Sequence, residues 1–222
     1  MRVYHFLHAD HAVSDLAMKK IKLSRFADLN DPFELLGAKL RDRKKRLVFR
    51  KFKAGVNAQL GVLCFTKEWS NPILWSHYAD KHRGVCLGFD VPDNLLEPVI
   101  YVSSRKDFTE ASTLNGVGKK LERILLRLKF SGWEYEDEIR MILTLDKTRK
   151  ESQFHYSSFD KNLSLKEVIL GPRCPLTVRN VRLLVDQSGN QIRLIKARLA
   201  FNTFNVVADR YNCRPRHSKN TV

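Results

Sequence analysis

Short apolar runs broken by turn residues dominate the chain, and few stretches carry the three-to-four-residue spacing of a helix. MRVYHFL, residues 1–7, predicts an opening strand, and residues 14–20 a brief helix with Asp15 in its first turn. In IKLSRFADLNDPFE the Asn-Asp-Pro predicts a turn, because Pro32 fixes φ and pushes Asp31 out of helical geometry. GVLCF, 61–65, reads as a buried strand. SNPILWSHYADKHRG is punctuated as a helix: Ser70 or Asn71 can cap it, Pro72 fits its first turn and Gly84 can close it. VCLGFD then gives an apolar strand ending at Asp90.

Residues 91–112 are polar and read as loop. Leu114, Val117, Leu121, Ile124, Leu125 and Leu128 mark an amphipathic helix with a basic outer face. WEYEDEIRMILTL, 133–145, alternates at period two and predicts a strand. One face would carry Tyr135, Asp137, Ile139 and Met141, the other Glu134, Glu136, Glu138 and Arg140. LKEVILG, VRLLV and QIRLIKARL are three further strand candidates, joined by Gly-Pro and Ser-Gly-Asn turns. The pattern predicts a single α+β domain over 1–211, built on a split, bent, antiparallel-rich β-sheet with flanking helices. A flexible basic tail follows over 212–222.

Composition sharpens this. At 222 residues and 43% hydrophobic the chain can bury a real core, which excludes global disorder. Forty Lys and Arg against 24 Asp and Glu give a formal charge of +16, which points to a polyanionic partner. The charge is concentrated: residues 39–53 hold nine basic residues and one acid, with Leu40, Leu47, Phe49 and Phe52 as apolar anchors. Arg41, Arg43, Lys44, Lys45, Arg46 and Arg50, with Lys119, Lys120 and Arg123 of the later helix, are candidate nucleic-acid contacts. A merely solvated helix face is the plain alternative. Cysteines 64, 86, 174 and 213 form no CxxC pair and read as reduced thiols of a cytoplasmic protein without a structural zinc. No apolar signal core or membrane-length run occurs, so no membrane partner is expected.

Three clusters could carry chemistry. The carboxylates of 133–145 repel one another on one strand face; paired carboxylates can orient a ribose hydroxyl, face a developing cation or bind a divalent metal, and salt bridges to basic helices are the structural alternative. Trp75-Ser76-His77-Tyr78 could stack a nucleobase or nicotinamide ring, or simply pack on a sheet. His5, beside Tyr4 on the first strand, is a weaker candidate, as are Asp31 and Glu34, which an Asx turn explains without chemistry.

The opening Tyr-x-Phe strand, LSRFADLNDPFE, LCFTKEWSNPILWSHYADKHRGVCLGFD, K-x-x-x-W-E-Y-E-x-E-x-R from Lys129 and LKEVILGP together resemble one bacterial family, domain of unknown function 2971. The resemblance runs from about Tyr4 to about Tyr211. More distantly, the layout is similar to ADP-ribosyltransferases, which implies an ADP-ribosyltransferase-like fold and NAD as the substrate cofactor. That resemblance implies Glu138 as the catalytic carboxylate, Glu136 as the group activating the acceptor, and His77 nearby. Tyr4, His5, Trp75, Tyr78 and Arg140 would hold NAD. The expected activity is mono-ADP-ribosyl transfer to a nucleic acid or other anionic target, as in a toxin or phage-defence effector. Two alternatives stay open: a metal-dependent nuclease using Glu136, Glu138, Asp31 and His77, and a non-enzymatic nucleic-acid-binding module whose carboxylates are structural.

Overall fold

In the computed structural model of the chain, residues 1–108, 117–185 and 191–210 are described. The opening run forms β1 (Arg2–Leu7) and leads into α1 (Ala9–Met18) and β2 (Lys20–Lys22). The basic segment becomes α2 (Arg43–Gln59), which runs directly into β3 (Leu60–Thr66). α3 (Pro72–Tyr78), β4 (Val85–Asp90) and the short strands β5 (Glu97–Pro98) and β6 (Ile100–Val102) come next. α4 (Lys119–Leu125) precedes β7 (Leu128–Phe130), a 3-10 turn over Ser131–Glu136 and β8 (Glu138–Thr144). The chain continues through β9 (Arg149–Glu151), β10 (Phe154–Ser158), β11 (Ser164–Leu170), α5 (Val178–Val185), β12 (Arg193–Leu199) and β13 (Val206–Ala208). The predicted tail over 212–222, Cys213, Leu114 and the Ser-Gly-Asn turn lie outside the described residues.

These elements form two compact units, each discontinuous in sequence, so no single boundary along the chain separates them. The first takes Met1–Lys20, Glu68–Asp90 and the described residues from Phe159 onward. Its strands lie in the order β13-β12-β11-β4-β1. Neighbours are antiparallel except for the parallel pair β11 and β12. Trp75 of α3 and Ala79 just after it pack into a core with Cys86, Ile169, Ile195, Ala197 and Val206, and Phe6 meets the Trp75 ring edge-on at 5.1 Å. Two glycines permit this closeness. A Cβ at Gly84 would stand 2.2 Å from the Leu7 carbonyl oxygen, and one at Gly171 2.4 Å from that of His82.

The second unit takes Ile21–Lys67 and Val91–Ser158. β8 pairs antiparallel with β3 and β5, β2 joins the β9–β10 hairpin, and β6 pairs parallel with β7. Asp42 caps α2 through the Lys44 and Lys45 amides, satisfying donors that a helix start leaves open. Phe49, Phe52 and Val56 turn inward at helical spacing, onto clusters containing Leu35, Val62 and Leu126 and containing Ala38, Leu121, Leu125 and Leu128.

The α+β class and the antiparallel-rich pairing agree with the sequence reading; the sheet is mixed rather than purely antiparallel. Several elements differ. The first helix begins at Ala9 and ends at Met18, where Lys19 turns left-handed, instead of spanning 14–20. α3 stops at Tyr78, because Asp80, Lys81 and His82 all take positive φ before Gly84. VRLLV is helical: the Thr177 hydroxyl caps the Asn180 amide, and Val181 and Val185 are buried one turn apart. Leu128 belongs to a strand rather than to the preceding helix. Residues 149–158, read as a polar loop, form a hairpin.

Candidate functional site

The predicted strand over 133–145 does not begin at Trp133. Residues Ser131–Glu136 wind as a 3-10 turn, Asp137 stands left-handed at φ 42°, and β8 starts only at Glu138. The carboxylates of Glu136 and Glu138 still meet, for a different reason than strand alternation. Lys129, on β7, places its ammonium 2.5 Å from Glu136 Oε2 and 2.9 Å from Glu138 Oε2. Lys129, Glu136 and Glu138 are all buried.

Arg140 lies two residues further along β8, on the same side as Glu138. It donates from Nε to Glu138 Oε1 at 2.8 Å and from Nη1 to Glu34 Oε2 at 3.0 Å and to the Leu126 carbonyl at 2.8 Å. Nη2 reaches Glu34 Oε1 at 2.5 Å and Glu138 Oε2 at 3.2 Å. Glu34 comes from the NDPFE segment, where Asp31 accepts from the Phe33 amide in the Asx turn expected there. A continuous chain Glu34–Arg140–Glu138–Lys129–Glu136 results, three carboxylates interleaved with two cations. The Tyr101 hydroxyl accepts from the Glu138 amide at 2.8 Å and ties β6 to the same point.

Electrostatics follow from that alternation. Burial pushes the Glu138 carboxyl up, but Arg140 and Lys129 overcome it and hold the group at about 2. Burial lowers Lys129, and Glu138 and Glu136 more than reverse it, so the ammonium titrates above its ordinary value. For Glu34 burial outweighs Arg140, and its carboxyl is raised. Cys64, facing Arg140 across the β3–β8 ladder, has its thiol raised well above normal by burial and then by Glu138. Tyr101 is raised to about 12, mainly by burial.

The remaining predicted residues are distributed as follows. Tyr4, His5, Trp75, His77 and Tyr78 belong to the first unit, whereas Glu136, Glu138 and Arg140 belong to the second. Of the residues expected to hold NAD, Trp75 and Arg140 are both 0% exposed. Trp75 donates its indole N–H to the Trp69 carbonyl at 2.6 Å inside the core, leaving no ring face for a ligand. Every guanidinium nitrogen of Arg140 is already engaged. Tyr4 donates to Glu167 Oε2 at 3.1 Å, and Arg2 and Arg193 bind the same carboxylate. His77 stands exposed at the end of α3, its ring 6.0 Å from that of Tyr78. Among the described residues no three His, Cys, Asp or Glu side chains group to hold a metal ion.

Most of the basic candidates are exposed on α2 and α4. α2 and α4 share one apolar cluster through Phe49, Phe52, Leu121 and Leu125. Opposite that cluster, Arg43, Lys44, Arg46, Arg50, Lys51, Lys119, Lys120 and Arg123 are exposed. Among the described residues Arg43, Lys44, Arg50, Lys119 and Lys120 make no ion pair, while Arg123 pairs with Glu97 and Arg46 donates to the Leu40 and Arg41 carbonyls. Sequence reasoning missed Lys129 and Tyr101, and it ranked Glu34 only as a weak candidate. Lys129 stood inside a quoted motif without a role and Glu34 without a partner, because contacts nine and 106 residues apart leave no local signal.

Fold and site thus define an α+β protein with a buried ion network and two helices rich in exposed cations. Over residues 74–141, which include Lys129, Glu136, Glu138 and Arg140, the chain matches the family model described as protein of unknown function (DUF2971). That is the family the sequence motifs resemble. No curated protein and no solved structure matches the chain. Among the described residues no helix is long and apolar enough to cross a membrane.

Proposed function

We propose that this protein binds nucleic acid along the exposed faces of α2 and α4. The observation that carries this reading is the set of cations on two helices that pack on one cluster, most of them without an acidic partner in a chain of +16. Unpaired Lys and Arg side chains raise the local potential and exchange bound counterions for phosphates. The carboxylates, which sequence reasoning placed at the chemical centre, are interleaved with Lys129 and Arg140 and serve to fix β7, β8 and the NDPFE segment beneath those helices. A fluorescently labelled 20-nucleotide strand tests the reading. Wild-type protein binds it, and the triple variant Arg43→Ala, Lys44→Ala, Arg50→Ala binds at least tenfold more weakly at unchanged circular dichroism. Equal affinity of the two proteins overturns the proposal.

ADP-ribosyl transfer from NAD on an ADP-ribosyltransferase-like fold is the second reading, and one observation favours it: Glu138 is held between Lys129 and Arg140, which favour the charged form that stabilising an oxocarbenium-like ribose requires. It asks that Lys129 or Arg140 yield one Glu138 oxygen to the ribose hydroxyl. Nicotinamide release by wild type, reduced a hundredfold or more in Glu138→Gln, is the expected outcome. No release with any nucleic-acid acceptor contradicts it.

A further inference from the structure

Beside Lys129 the second unit opens into a cavity of about 300 Å³ that neither reading above assigns. Its walls differ in chemistry. Phe33, Leu36, Leu128 and Phe130 make an apolar slot, and the consecutive Ser103, Ser104 and Arg105 stand along it. Phe33 and Phe130 are about half exposed, at 52% and 50%, although both are large aromatics. Such rings on a slot are stacking surfaces rather than core.

Both rings are held in place. A Cβ at position 132 would lie 2.6 Å from Phe130 Cε1, so the ring lies directly over Gly132. The Arg105 guanidinium stands over the Phe33 ring at 5.1 Å, a cation–π contact that keeps its charge at the slot. Lys129 also lines the cavity, but its charge is consumed by Glu136 and Glu138. An anion entering the slot is therefore drawn to Arg105 and the two serine hydroxyls, leaving a planar ring to the apolar walls. The volume sits at the low end for small-molecule sites, roughly 300–1,000 Å³, which suits one nucleotide rather than two.

We propose that this cavity binds a single nucleotide, its base against Phe33 and Phe130 and its phosphate on Ser103, Ser104 and Arg105. The choice of ligand rests on the nucleic-acid reading, but the site stands on its own residues. The same chemistry is offered by a free mononucleotide and by the phosphorylated end of a strand.

Calorimetric titration of the full chain with AMP, adenosine and a 5′-phosphorylated pentanucleotide tests it. The pentanucleotide is titrated into the Arg43→Ala, Lys44→Ala, Arg50→Ala variant, which removes the helical surface. AMP is expected to bind at least tenfold more tightly than adenosine. Arg105→Ala should erase that preference, and Phe130→Ala, a change at an exposed ring, should weaken AMP and adenosine alike. A pentanucleotide tighter than AMP identifies a strand end as the ligand; AMP as tight or tighter identifies the free nucleotide. Absence of binding by AMP and pentanucleotide, or affinities unmoved by both cavity variants, overturns the site. Because the triple variant keeps AMP binding while losing the long strand, failure of the cavity and failure of the helical surface are separately visible.

Discussion

Lys129 is one ammonium between two carboxylates in a water-poor place, and removing it takes the shared cation from Glu136 and leaves Glu138 to Arg140 alone. Breaking a buried pair in this way costs about 3–5 kcal/mol. Lys129→Met should therefore lower the melting temperature by roughly 10 °C, read by calorimetry at pH 7. A change of under about 2 °C would show that the network is not what holds β7 to β8. Glu138 sets an acid limit. Its carboxyl titrates at about 2 when folded and near the ordinary 4.5 when unfolded, so its contribution is full above the unfolded value and is lost as pH falls toward 2. Asp15 has the opposite sign. Burial, partly offset by Lys20, raises it from 3.8 to about 7, so the folded state gains stability as pH falls from about 7 toward 4. Asp15→Asn should raise the melting temperature at pH 8 by roughly 5 °C and flatten that rise; an unchanged profile would contradict it. At this scale the sequence showed the carboxylates and Arg140 as unusual neighbours. It hid their partners, since Glu34 reaches Arg140 across 106 residues.

Helices with clear punctuation were legible and strands with apolar runs mostly so. Asn71 caps α3 with Pro72 in its first turn as read, and GVLCF and VCLGFD are β3 and β4. Alternation misled where a turn can mimic it. WEYEDE has strand-like periodicity, yet the left-handed Asp137 redirects the chain and the register of Glu136 relative to Glu138 comes from that turn. VRLLV is as apolar as a strand, and only the Thr177 cap four residues earlier marks it as a helix. Gly84 shows what a short element needs to close. Its amide returns to the Ala79 carbonyl at 2.8 Å while its Cα faces the Leu7 oxygen. Gly84→Ala should destabilise the chain by more than about 2 kcal/mol, because backbone rather than a flexible side chain must move. A urea midpoint within error of wild type would show that β1 and the α3–β4 turn shift freely.

The charge of +16 is a property of the whole molecule, and the proposed nucleic-acid surface draws on the part of it that α2 and α4 carry. The interleaving of two units along the chain could not be read from composition, since no Gly/Pro-rich linker separates them. The most direct test of nucleic-acid binding is the salt dependence of affinity for a 20-nucleotide single strand. Each phosphate neutralised contributes about −0.7 to the slope of log affinity against log salt. Replacing Arg43, Lys44, Arg50 and Lys119 with Ala should flatten the wild-type slope by up to about three units. A slope that is equally steep in the variant, or near zero in the wild type, would contradict the account.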